Sequence, residues 1–251
     1  MIVALSCVLL SAIGARAEEA AAPSKDWKVE AGGDYFTEYI FRGYDVSKNQ
    51  PLFMPHALLG WKWFTATWYG YYSPWDQPDN KWYYENDFTL DATVKLGKFT
   101  LTGGALYYYY PDGKEDGLNT TELYGIVAYD FPLLNPKLSW YQDVDEFHTS
   151  YITLSINHPF DVSKPLGLSE GTLTITPSAA LNIEMNGWSK YETDSNTDFN
   201  DALLGVSANW AINKYLSVHA GVQLAVPMGQ LRNSTSQDEE IIGNVGVTLV
   251  F

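Results

Sequence analysis

The chain reads as all-β: a transmembrane antiparallel up-and-down β-barrel of about twelve strands, formed after a signal peptide is cleaved. Three observations carry that expectation. Apolar and polar residues alternate with period two along most of the 251 residues. Polar connections alternate between long and short. The last strand ends on Phe251. Successive side chains in a strand point to opposite faces, so period two means two-faced strands. At helical spacing the same charges would scatter around the axis.

Composition narrows the alternatives. Fifteen Lys and Arg against 30 Asp and Glu give a formal charge of −15. Phosphate contact needs clustered Lys and Arg, so nucleic acid is not an expected partner. Past residue 14 no apolar run reaches the ~18 residues that a spanning helix requires.

The first element is an address. Residues 1–13 (MIVALSCVLLSAI) are almost wholly apolar, and Ala15 and Ala17 form an A-x-A cleavage site. Residues 1–17 are therefore read as a secretory signal peptide, although no Lys or Arg precedes the apolar run. Cleavage removes Cys7, the single cysteine, and Arg16, taking the charge to −16. The mature chain then has no disulfide and no thiol ligand or nucleophile. Residues 18–25 (EEAAAPSK) form a short polar lead, and 26–251 form the barrel.

The strands follow in order. Trp27, Val29, Ala31, Gly33, Tyr35, Thr37, Tyr39 and Phe41 share one face of the first, with Lys28, Glu30, Asp34, Glu38 and Arg42 on the other. Weaker strands follow near 52–62 and 64–73. Phe88 to Leu96 and Phe99 to Tyr109 alternate on either side of a Gly97-Lys98 turn, a hairpin signature. Alternation returns over 122–131, weakly near 137–143, then over 152–157, 172–181, 204–210, 216–224 and 240–251. The connections near 44–51, 74–82, 111–119, 144–147, 184–199 and 228–239 are mostly long. Those near 63, 97–98, 132–136 and 211–215 are short, and 158–170 is the exception. Membrane barrels have short periplasmic turns and longer external loops.

Alternation does not say whether lipid or water lies outside, since a soluble barrel turns its apolar face inward. Aromatic residues near strand ends favour lipid: Trp27, Tyr39, Phe41, Trp61, Trp63, Trp75, Phe99, Tyr107, Tyr109, Phe131, Trp140 and Trp210 suit interfacial girdles. The polar face carries both charge signs on single strands, as a wet lumen allows. Val245, Val247, Leu249 and Phe251 then alternate to the end of the chain. That ending resembles the terminal strand of bacterial outer-membrane proteins, in which Val247, Leu249 and Phe251 would be the signal read by the assembly machinery.

Tyr39-Ile40-Phe41-Arg42-Gly43, with Pro51 and Pro55 in KNQPLFMP, resembles the opening of the TorF-type porins (the Gcw-type conserved outer-membrane proteins). FTLTGGALYYYYPDG at 99–113 and FNDALLGVSANWAI at 199–212 are similar to it as well. The resemblance implies a location in the outer membrane of a Gram-negative bacterium and a transport role, with no catalytic residues to carry over.

The expected lumen lining is Lys28, Glu30, Asp34, Glu38, Arg42, Glu85, Asp87, Asp91, Lys95, Glu122, Asp130 and His219. Acid outnumbers base, and an acidic wall favours cations. Arg42 has two readings: half of a constriction charge pair near the mouth, facing Glu38, or the neutralising centre of a packed plug. Tyr108 and Tyr110 are candidates to block a narrow lumen. The expectation is a channel for passive diffusion of small hydrophilic solutes or ions, in contact with outer-membrane lipid and lipopolysaccharide. No cofactor and no metal are expected. Asp194-x-Asn196-x-Asp198 starts like a calcium loop, but Phe199 stands where Gly is needed. The acids Asp143, Asp145 and Glu146, and Asp238, Glu239 and Glu240, read as solvated runs. The main rivals are a lipid-hydrolysing barrel using His148 with Ser150, or His158 with Ser155 and Asn157, and a non-conducting structural barrel.

Overall fold

A computed structural model describes residues 26–74, 83–111, 119–185, 197–234 and 237–251. The signal peptide and polar lead, Trp75, and Asp194 and Asn196 of the calcium-like segment lie outside the described residues.

Among the described residues twelve strands close into one antiparallel barrel. They are β1 (Trp27–Phe36), β2 (Leu52–Trp61), β3 (Phe64–Ser73), β4 (Tyr83–Leu96), β5 (Phe99–Tyr109), β6 (Thr120–Tyr129), β7 (Lys137–Asp143), β8 (Ser150–Asn157), β9 (Leu173–Met185), β10 (Asp198–Ala211), β11 (Leu216–Pro227) and β12 (Glu240–Val250). Each pairs with its chain neighbours, and β12 pairs back onto β1 through Gly33↔Val247 and Glu30↔Val250. Closure leaves no open edge in the barrel, and this satisfies every backbone group that lipid cannot.

The even count returns both ends of the barrel to one rim. Trp27 pairs with Trp61, and the Phe251 N–H donates to the Val29 carbonyl. The turns at that rim are short, as at Gly97-Lys98, where Gly97 takes φ +62° with open space around it. The longer 158–172 connection is ordered: Phe160–Asp161 adds two ladder pairs beside β9, and Asp161 accepts the backbone N–H groups of Ser163 and Gly171. The Ser163 hydroxyl, together with those backbone bonds, holds its exposed carboxyl below the usual range.

The two faces separate as a membrane barrel requires. Leu59, Leu90, Leu123, Val127, Leu154 and Val206 point outward and are exposed, Leu90 by 62%. Trp27, Trp61, Trp63, Phe64, Phe99 and Phe251 surround the short-turn rim, and Tyr35, Phe53, Tyr107 and Tyr109 the opposite one. Carboxylates, hydroxyls and imidazoles occupy the inner positions. A soluble barrel would reverse these faces. Trp140 also faces outward, but at mid-strand, paired with Ile152.

The first strand is shorter than its alternation suggests. It ends at Phe36, and residues 37–51 fold inward as a loop carrying a small hairpin, Ile40–Phe41 paired with Tyr44–Asp45. Tyr39 and Phe41, expected in a girdle, are 2% and 1% exposed inside the barrel. They pack with Leu52, Met54 and Tyr71, the ring of Tyr39 stacking on Tyr71 at 4.9 Å. The tight turn at Arg42 (φ +43°) and Gly43 (φ +80°) makes this reversal. Alternation persists through a hairpin that lies inside a barrel as readily as through a wall strand, so periodicity alone misplaces it.

Candidate functional site

The inner wall is the candidate site. On β1 the inward positions are Lys28, Glu30 and Asp34. Lys28 sits at the short-turn rim and pairs with Glu30 at 2.8 Å. Asp34 is buried, and its Oδ1 lies 2.5 Å from Nε2 of His219 on β11. His56 on β2 completes the cluster, its Nδ1 3.7 Å from the other Asp34 oxygen.

On β4 the inward residues are Glu85, Asp87, Asp91 and Lys95. Glu85 accepts from the Tyr110 hydroxyl at 2.7 Å, and Asp91 from the Tyr124 hydroxyl at 2.9 Å. Asp87 is 3% exposed, and its Oδ1 has no hydrogen-bond partner among the described residues. Lys95 is exposed towards the short-turn rim. Asp130 is a correction: β6 ends at Tyr129, and Asp130 lies in the following turn, exposed, its N–H donating to the Lys98 carbonyl. The strand stops two residues before its alternation does, because the turn takes over the hydrogen bonding.

Glu38 and Arg42 are the second correction. Neither is on the barrel wall; both ride on the inward loop, and they do not face each other. Glu38 is buried, and burial, with the Glu240 and Asp45 carboxylates facing it, pushes its carboxyl up to about 7. Arg42 reaches Glu122 on β6, its Nη2 donating to both carboxylate oxygens at 2.7 and 2.9 Å. Their side chains are 1% and 4% exposed. The guanidinium carbon lies 4.7, 6.0 and 4.5 Å from the ring centres of Phe41, Tyr141 and Tyr151. The Tyr108 hydroxyl donates to Glu122 Oε2 at 2.9 Å, and Asn200 Nδ2 donates to the Arg42 carbonyl at 2.6 Å. Ion pair, rings and hydroxyls together pack the lumen at this level.

Several inward residues escaped sequence reasoning. His56 sits on a strand whose inner face also carries Leu52, Met54 and Leu58, so apolar residues occur on both faces and alternation fails. Lys137, Tyr141 and Asp143 line the short strand β7. Asp201 accepts from Tyr151 and Asn182, each at 2.7 Å. A register shift between β9 and β10 skips Asn200, which turns both Asn200 and Asp201 into the interior. Parity extended from Thr153 and Ser155 would have found Tyr151.

Asp143 is no solvated acid. It is buried, its Oδ1 accepts the N–H groups of Asp145, Phe147 and His148, and its Oδ2 accepts from Thr120. Glu239 pairs with Arg232 at 3.0 Å. Ser150 bonds Gln142 rather than His148, and the Ser155 hydroxyl and His158 Nδ1 have no hydrogen-bond partner among the described residues. Among those residues no group of three His, Cys, Asp or Glu is placed to share a metal ion.

No family model matches the chain, and no curated protein matches it. Solved structures do. The barrel is similar to the NanC porin (TM-score 0.56, 10% identity, 88% of this chain and 98% of that one). It is also similar to the KdgM porin (TM-score 0.53, 10% identity, 89% and 99%). A third match is the COG4313 outer membrane channel from Pseudomonas putida F1 (TM-score 0.52, 9% identity, 92% and 97%). What the chain shares with these three is the fold, a closed β-barrel of the outer-membrane type.

Proposed function

We propose that the protein is an outer-membrane channel through which small hydrophilic solutes diffuse passively, biased towards cations, and that it is not an enzyme. One observation carries this reading: an acid-rich inner wall enclosed by an apolar outer face. Glu30, Asp34, Glu85, Asp87, Asp91, Glu122, Asp143 and Asp201 outweigh Lys28, Arg42, Lys95 and Lys137 at inward positions. In a low-dielectric tube that surplus attracts cations and repels anions. The porin and channel neighbours fit a conducting role, and the motif resemblance supports placing the chain with the TorF-type porins. Export by the signal peptide and recognition of Phe251 by the assembly machinery belong to the same reading. Neither His–Ser pair suggested for lipid hydrolysis is bonded.

Planar-bilayer recording tests it. The expected result is discrete current steps whose reversal potential in a KCl gradient reports cation preference, reduced in Asp91→Asn. Steps with anion preference would remove the bias, and absence of steps would remove the channel. The second reading, a non-conducting barrel, draws on the packed level around Arg42, and the same recording decides between them.

A further inference from the structure

We infer that the packed level of the lumen is a guanidinium-recognition box that the protein fills with its own Arg42, and that solutes bearing a guanidinium group exchange with it when the 37–51 loop withdraws. The inference rests on the channel reading for its purpose and on geometry for its substance.

A buried guanidinium is well held by a charge-assisted hydrogen bond to a carboxylate and by aromatic faces within cation–π reach. Glu122 supplies the first, and Tyr141 and Tyr151 supply two of the faces. The Tyr108 hydroxyl donates to Oε2 of the same carboxylate. These four groups stand on β6, β7, β8 and β5, consecutive strands of one wall. Only Arg42 and Phe41 come from elsewhere, on a loop outside the barrel ladder. Withdrawal of the loop therefore removes the occupant and one ring and leaves the rest of the box standing.

The exchange is thermodynamically reasonable. A buried Glu122 with no cation beside it is heavily penalised, so the loop leaves most readily when another cation takes its place. Glu85, Asp87 and Asp201 are buried in the same interior, so carboxyl groups outnumber the one guanidinium there. Arg42 is also held at φ +43°, a left-handed conformation that a non-glycine residue adopts at a cost, so the bound loop is not at its backbone optimum.

The test uses the refolded full chain in detergent, titrated calorimetrically with methylguanidinium and, separately, methylammonium chloride. Arg42→Ala should bind methylguanidinium about tenfold more tightly than methylammonium, since a flat guanidinium stacks on the Tyr141 and Tyr151 rings and a compact, strongly hydrated ammonium does not. Adding Glu122→Gln to that variant should abolish the difference. Wild type should bind methylguanidinium saturably but more weakly, the tethered Arg42 acting as competitor. Should Arg42→Ala fail to fold, the wild-type titration and its loss in Glu122→Gln decide alone. No saturable binding to wild type, or equal affinity for the two cations in Arg42→Ala, overturns the inference and leaves Arg42 as a strut. Selective binding by a barrel that never conducts upholds the box and removes the channel reading. Conduction without selective binding does the reverse.

Discussion

His219 on the eleventh strand and Asp34 on the first meet at 2.5 Å across the last strand, over Gly246. The contact bridges the seam where the barrel closes. A Cβ on Gly246 would run into both Asp34 Oδ1 and His219 Nε2, so this glycine makes room for the bridge.

Gly246→Ala should accordingly destabilise the closed barrel by about 1–3 kcal/mol, the usual cost of overpacking. The measurement is the temperature at which the compact, fast-migrating band on a denaturing gel converts to the slow one. An unchanged midpoint would mean that the seam relaxes without loss.

Current should rise with pH. The Glu38 carboxyl is raised from its ordinary 4.5 to about 7 in the packed loop, and burial also raises Asp45. A carboxyl raised by packing favours the packed state fully below about 4.5, and that advantage is lost as pH climbs through about 7. Ionised Glu38 then faces Asp45 and Glu240, and the loop is repelled. Conductance recorded from pH 5 to 8 should increase, and Glu38→Gln should flatten the profile. A profile as steep in the variant would assign the effect to another group.

Tyr151→Phe should cost about 1–2 kcal/mol, because it strips one of the donors from buried Asp201. Asn182 and Asn200 still donate to that carboxylate, which limits the loss. Urea unfolding from detergent reads the difference, and an unchanged midpoint would show that the remaining donors suffice.

Removing Phe251 should lower the amount of heat-modifiable barrel recovered from outer membranes while leaving refolding in detergent nearly intact. The residue is exposed at the rim, and its one backbone bond, to Val29, lies at the end of the ladder. Full recovery in cells would deny it an assembly role.

The barrel was legible because two-sided burial imprints itself on neighbouring residues. Asp87, Asp91 and Glu122 face inward because Phe88, Leu90 and Leu123 face outward, and parity carries that forward one residue at a time. Parity misleads where it has no local support. Leu52 and Met54 point inward to pack the loop, so they hid His56. The register shift beside Asn200 moved Asp201, and the turn after Tyr129 took Asp130 out of the lumen.

Strand number, the sidedness of most strands and the acidic character of the interior follow from the amino-acid order alone, because a strand's facing is a property of adjacent residues. The partners of those inward groups do not. Arg42 lies 80 positions from Glu122 and Asp34 lies 185 from His219. Only the closed ring and its inward-folded loop bring them together. Contacts at that separation depend on where the whole chain closes, and no local period encodes it.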